Sequence, residues 1–105
     1  LFDWSGFGMD GALGACHALE IPFVFGTLNS RLGRLAGAGP DAEALSLAMQ
    51  DAWLAFARNG DPSTPTLQWP RYDAARRATA AFGPAVEVRE APLDRERLAW
   101  SVETP

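Results

Sequence analysis

Apolar side chains at Leu45, Ala48, Met49, Ala52, Trp53 and Phe56 recur at i, i+3, i+4, i+7, i+8 and i+11, the spacing of one face of an amphipathic helix. The residues at its ends agree with that period. Asp41 follows Pro40 at a good N-cap position, Glu43 favours the positive end of the helix dipole and Arg58 the negative end, and Asn59-Gly60 supplies a C-cap before Asp61-Pro62. Leu1-Phe2-Asp3-Trp4 alternates apolar and polar positions and then meets Ser5-Gly6, as the last half of a strand does when it runs into a loop, so the chain reads as one cut in mid-strand. From Gly6 to Gly14, four glycines in nine residues free the backbone for positive φ, and no regular element is expected before Ala15.

Ala15 to Gly26 is almost wholly apolar around one histidine and one glutamate. Pro22 disfavours a long helix there, so the segment reads as short, buried turns. Residues 29–40 are rich in Gly, Ala and Arg without a period and read as a linker able to move or to cover something. Trp69-Pro70-Arg71-Tyr72-Asp73 cannot be a central strand and reads as an irregular cover over the helix. Ala78 to Phe82 and Val86 to Arg89, parted by Gly83-Pro84, form a candidate hairpin; Leu93 to Val102 forms a short terminal helix nucleated by Asp94, with Leu93, Arg97 and Trp100 along one side. No internal repeat is present.

Composition narrows what such a chain can do. At 105 residues it is one small unit, and 48% hydrophobic with 21% charged places it among ordered globular chains. Nine cations, all arginine, stand against 13 carboxylates, a net charge of −4 with no basic run, which excludes nucleic acid as a partner because phosphate binding needs clustered cations. Cys16 is the single cysteine, so no internal disulfide forms, and no apolar run is long enough to cross a bilayer. Compartment is not readable from these residues.

Histidine is the side chain whose ordinary pKa, about 6.5, suits proton transfer near neutral pH, and His17 is the only one here. A lone histidine on an apolar loop also fits a hydrogen-bonded core residue, and the residues alone leave both readings open. Glu20, three positions on, would make a two-ligand metal site at most, so no metal or other cofactor is expected. Ser5 sits in Asp3-Trp4-Ser5-Gly6-Phe7, which lacks the first glycine of a G-x-S-x-G nucleophile elbow. Cys16 adjoins His17 in sequence, which normally points the two side chains apart, so Cys16 reads as a packing residue.

Gly14-Ala15-Cys16-His17-Ala18-Leu19-Glu20-Ile21-Pro22-Phe23-Val24-Phe25-Gly26 resembles the catalytic-histidine segment of type B carboxylesterases, the family that includes para-nitrobenzyl esterases and cholinesterases. Phe2-Asp3-Trp4 resembles the end of the preceding strand, Trp53 to Pro62 the family's W-x-x-F-A-x-x-G-D-P helix end, and Trp69 to Asp73 its W-P-x-Y-D segment. Four motifs in order cover most of the chain. The resemblance implies an α/β fold class: the C-terminal segment of an α/β-hydrolase, made of a strand end, the histidine loop, one long amphipathic helix, a small hairpin and a short terminal helix. It implies that His17 is the general base of a serine esterase, serving a serine and a carboxylate that lie upstream, so the missing elbow follows and the chain alone is expected to be inactive. It implies a small-molecule ester as substrate and the upstream remainder of the enzyme as partner.

Glu20 matches an acidic position of the family and is expected to support the histidine loop, although an ordinary buried cap fits it equally well. Ala18 stands where many members have glycine, and Ala80 where larger apolar residues are common. The apolar helix face at Leu45, Met49, Trp53 and Phe56 would pack on a sheet this chain lacks, so self-association as a dimer, or an altered packing, that buries Trp53 is expected of the isolated piece. A non-catalytic, hydrolase-like binding or adhesion protein is the alternative that the same motifs allow.

Overall fold

A computed structural model describes residues 1–101. Four helices and one hairpin follow in the order α1 (Ile21–Val24), α2 (Gly33–Ala36), α3 (Pro40–Asn59), β1 (Thr79–Phe82), β2 (Val86–Arg89) and α4 (Asp94–Trp100). The hairpin expected around Gly83-Pro84 is present: β1 and β2 are antiparallel, with Ala80 opposite Val88 and Phe82 opposite Val86. Residues 1–3 lie along the other edge of β1, where Phe2 bridges Phe82 in parallel; the Phe82 N–H donates to the Leu1 carbonyl at 2.8 Å and the Asp3 N–H to the Phe82 carbonyl at 2.7 Å. The opening residues are thus paired through a single parallel bridge with β1, far along the chain. Arg89 ties the same edge from the surface, with Nη1 2.9 Å from Asp3 Oδ2.

Helix α3 ends as its sequence requires. Gly60 takes φ 76°, and its N–H donates to the Phe56 carbonyl at 2.8 Å. Its start differs from expectation, because the helix begins at Pro40 and Gly39, at φ 87°, occupies the cap position; Asp41 lies inside the first turn and caps nothing. Proline pre-sets the helical φ at a position whose N–H would be unpaired in any case, which makes a side-chain cap dispensable. The buried face is also rotated. Ala42, Leu45, Ser46, Met49 and Ala52 are buried, whereas Trp53 is 46% exposed and Phe56 58%.

The core explains that rotation. Phe23 of α1 is fully buried against α3, with the rings of Phe2 and Trp4 at 5.3 and 5.7 Å from its own, and it selects the side of α3 that faces it. Trp53 sits at the flank and packs edge-on against Phe82 at 5.8 Å; Trp69 meets the same ring at 5.7 Å from the covering segment. The next turn after α3 is set by Asp61, whose carboxylate accepts the Ser63 N–H at 2.8 Å; hydrogen bonds from the Ser63 backbone and then its side chain hold the carboxyl below the usual range.

Three further expectations are corrected. A 3-10 turn spans Gly8–Gly11 where no element was expected, with Met9 and Asp10 rather than the glycines alone in left-handed conformations (φ 51° and 55°). Burial across residues 15–26 is uneven: Pro22 and Phe23 are buried, but Ile21 and Phe25 are 45% and 73% exposed. Asp94 does not cap α4. Leu93 holds the cap position at φ 63°, and the Asp94 carboxylate instead accepts from Arg97 Nε at 2.7 Å, which holds it below its ordinary pKa. Trp100 is 88% exposed, and Val102 lies outside the described residues.

Candidate functional site

His17 sits on an exposed turn between a glycine-rich loop and α1. The turn is held by its own backbone: the Leu19 N–H donates to the Cys16 carbonyl at 3.2 Å, the Ile21 N–H to Ala18 at 3.3 Å and the Phe23 N–H to Glu20 at 3.0 Å. A continuous run of hydrogen bonds therefore links the histidine turn to buried Phe23. The loop before it closes on itself, with the Gly6 N–H donating to the Gly14 carbonyl at 3.3 Å, and is fastened to α2 by the Phe7 N–H on the Leu35 carbonyl at 2.8 Å. Gly6 is needed at that crossing. A Cβ there would lie 3.0 Å from both Leu19 Cδ1 and the Leu35 oxygen.

Ala18 takes φ 66°, inside the left-handed region that disfavours any residue with a Cβ. It is a conformation that suits the glycine the resemblance implies at this position. Replacing Ala18 by Gly relieves that strain and is offset in part by a more flexible unfolded chain, so the substitution is expected to stabilise by about 0.5–1 kcal/mol. Denaturant titration reads this as a higher midpoint at unchanged slope; a lower midpoint would show that the turn does not hold residue 18 in this conformation.

The segment read as a linker contains α2, and α2 packs beside the histidine turn. Ser30 Oγ accepts the Gly33 N–H at 2.9 Å, and Gly33 is pressed so close to the preceding strand of chain that a Cβ would stand 2.1 Å from the Thr27 carbonyl oxygen. A cavity of about 190 Å³ results, lined by Leu13, Cys16, His17, Leu19, Leu32 and Leu35 among others. Sequence reasoning singled out His17 and Cys16 but missed the leucines, because their approach depends on the crossing at Gly6 and on the tight turn at Gly33.

Glu20 is half-buried at the position before α1 and makes no side-chain cap. Among the described residues neither its carboxylate nor the His17 ring has a hydrogen-bonding side-chain partner, so the two are brought to one turn without being paired. Cys16 is a half-buried free thiol. Among the described residues no group of three His, Cys, Asp or Glu side chains comes together in a way that would hold a metal, and no helix is long and apolar enough to cross a membrane.

Residues 3–100 match the Carboxylesterase family. The chain belongs to that family. It is 39% identical over 85 residues to the para-nitrobenzyl esterase of Bacillus subtilis, covering 79% of this chain and 17% of that protein, and 40% identical over 78 residues to the phenmedipham hydrolase of Pseudarthrobacter oxydans, covering 70% and 16%. The crystal structure of a Geobacillus stearothermophilus carboxylesterase at pH 6.2 superposes with a TM-score of 0.78 at 41% identity, over 95% of this chain and 21% of that one. A thermophilic para-nitrobenzyl esterase superposes with a TM-score of 0.79 over 92% of this chain and 20% of its own. The chain therefore spans about one fifth of the length of these proteins and is a segment of an α/β-hydrolase fold.

Proposed function

We propose that this chain is the histidine-bearing part of a serine carboxylesterase, and that His17 is its general base. What supports the reading is that family membership extends through residues 3–100 while the only imidazole of the chain stands exposed on a braced turn beside an apolar cavity. In this reading His17 takes the proton from a serine supplied by the remainder of the full-length protein as the serine attacks the ester carbonyl, then returns it to the departing alcohol. Water repeats the sequence on the acyl-serine, with the same imidazole as base, and no cofactor takes part. Glu20 supports the turn from the start of α1. The exposed side of α3 at Trp53 and Phe56 is the face we assign to contact with the remainder, and to self-association when the piece is isolated.

An acyl-enzyme has a kinetic fingerprint. Rapid mixing of the full-length protein with a small nitrophenyl ester is expected to release one equivalent of nitrophenol per protein in a burst before steady turnover, whereas the 105-residue chain alone gives neither burst nor turnover. Hydrolysis by the isolated chain, or no hydrolysis by the folded full-length protein, would overturn the reading.

A further inference from the structure

Ser46 is the one buried polar side chain of the described residues, 4% exposed in the middle of the apolar face of α3. Its hydroxyl donates to the Phe23 carbonyl at 2.7 Å, a bond between residues 23 apart in sequence. Gln50, one turn on, fixes the direction of that bond: its Nε2 donates to Ser46 Oγ at 3.1 Å and to the Ser46 carbonyl at 3.2 Å, so the serine receives one hydrogen and gives its own to Phe23. The amide of Gln50 also lies against Gly26, where a Cβ would meet Oε1 at 3.0 Å.

The Phe23 carbonyl takes its shorter hydrogen bond from outside its own segment. Helix α1 has only four residues, and the Thr27 N–H that would continue it turns away to Pro22 at 2.8 Å; within the chain segment Phe23 is left with the Gly26 N–H at 3.3 Å. A short helix cannot hold itself in place by its own hydrogen bonds, and here its axis is pinned by a side chain from a long one. Since backbone bonds run without a break from the Cys16 carbonyl to Phe23, whatever fixes Phe23 also fixes the turn that carries His17.

We infer that Ser46, oriented by Gln50, is a positioning residue for His17: its hydroxyl locks the turn–α1 unit to α3, so that the imidazole is held where proton transfer needs it. The inference rests on the proposed role of His17 as base. General-base transfer demands heavy-atom approach within about 2.6–3.2 Å, and misplacement by about 1 Å costs on the order of 100-fold in rate, so a shift too small to disturb substrate binding is visible in turnover.

The test uses the full-length protein with a nitrophenyl ester, well below its unfolding temperature. Ser46→Ala is expected to lower kcat about 10- to 100-fold with KM within about twofold. Ser46→Cys, close in volume but a weak donor, should behave like the alanine variant, which separates the hydrogen bond from packing. Leu67→Val, a loss of one methylene in the core away from this contact, serves as the control for stability and should leave kcat unchanged. Gln50→Leu is expected to lower kcat about three- to tenfold, and it decides the matter if Ser46→Ala does not fold. Unchanged kcat in folded Ser46→Ala or Gln50→Leu, or an equal loss in Leu67→Val, would overturn the inference while His17→Ala still abolished turnover. Should His17→Ala turn over like the parent protein, the base reading and this inference fall together.

Discussion

Replacing His17 by Ala in the full-length protein is expected to lower kcat on a small ester by about 10⁴- to 10⁶-fold, the loss seen when a triad loses its base and keeps only binding and oxyanion stabilisation. The size of the effect follows from the base acting in both halves of the reaction. Within this chain no second imidazole is present to take over, and the nearest carboxylate in sequence, Glu20, stands at the position before α1 with no side-chain hydrogen bond to the histidine ring. Serine without a base is a poor nucleophile near neutral pH, so each half of the reaction, acylation and deacylation, is slowed. KM should change little, because the imidazole acts on protons in flight and the cavity beside it is bounded by leucine side chains that the substitution leaves in place. Steady-state kinetics with protein shown to be folded by circular dichroism measures this. A loss below about tenfold would mean that another group carries the proton and that His17 is an exposed turn residue of no chemical consequence.

Much of the local structure was legible in the sequence because it is decided locally. Asn59-Gly60 ends α3 since Gly60 alone can take φ 76° at no steric cost, and Gly83-Pro84 marks the turn between β1 and β2. Which apolar residues of α3 are buried was not legible. Period 3.6 locates a stripe but not its edges, and the side that faces inward is chosen by Phe23, contributed by an element seventeen residues before α3 begins. Hence Ala42 and Ser46 are inside while Trp53 and Phe56 are at the rim. Left-handed Met9, Asp10 and Leu93 were equally hidden, since nothing in a non-glycine side chain announces positive φ. The same division holds for the candidate site: the motif singles out His17 as the candidate, whereas the Ser46 contact and the leucines beside the imidazole depend on long-range packing. A serine set between Leu45 and Met49 on an otherwise apolar face was the available signal.

Phe23→Ala is expected to be the most damaging core substitution, costing about 3–5 kcal/mol. The ring is wholly buried and is the point where the opening residues, α1 and α3 meet: Phe2 packs edge-on and Trp4 tilted against it at 5.3 and 5.7 Å, and Gly37 passes so near that a Cβ there would lie 2.9 Å from Phe23 Cζ. Removing it opens a cavity that these neighbours cannot close. Trp4 is anchored by its indole N–H on the Ala36 carbonyl at 3.0 Å, and Phe2 by its parallel bridge to Phe82 of β1. The loss should appear as a lower denaturant midpoint for the full-length protein with the slope unchanged, and Phe23→Leu, which refills part of the space, should cost well under half as much. Because Phe23 also carries the carbonyl that Ser46 holds, the alanine variant should lose turnover at temperatures where it is still folded. A Phe23→Ala protein with the parental midpoint would mean that the histidine turn is held by contacts other than this core, and the coupling from α3 through Phe23 to His17 would have no physical basis.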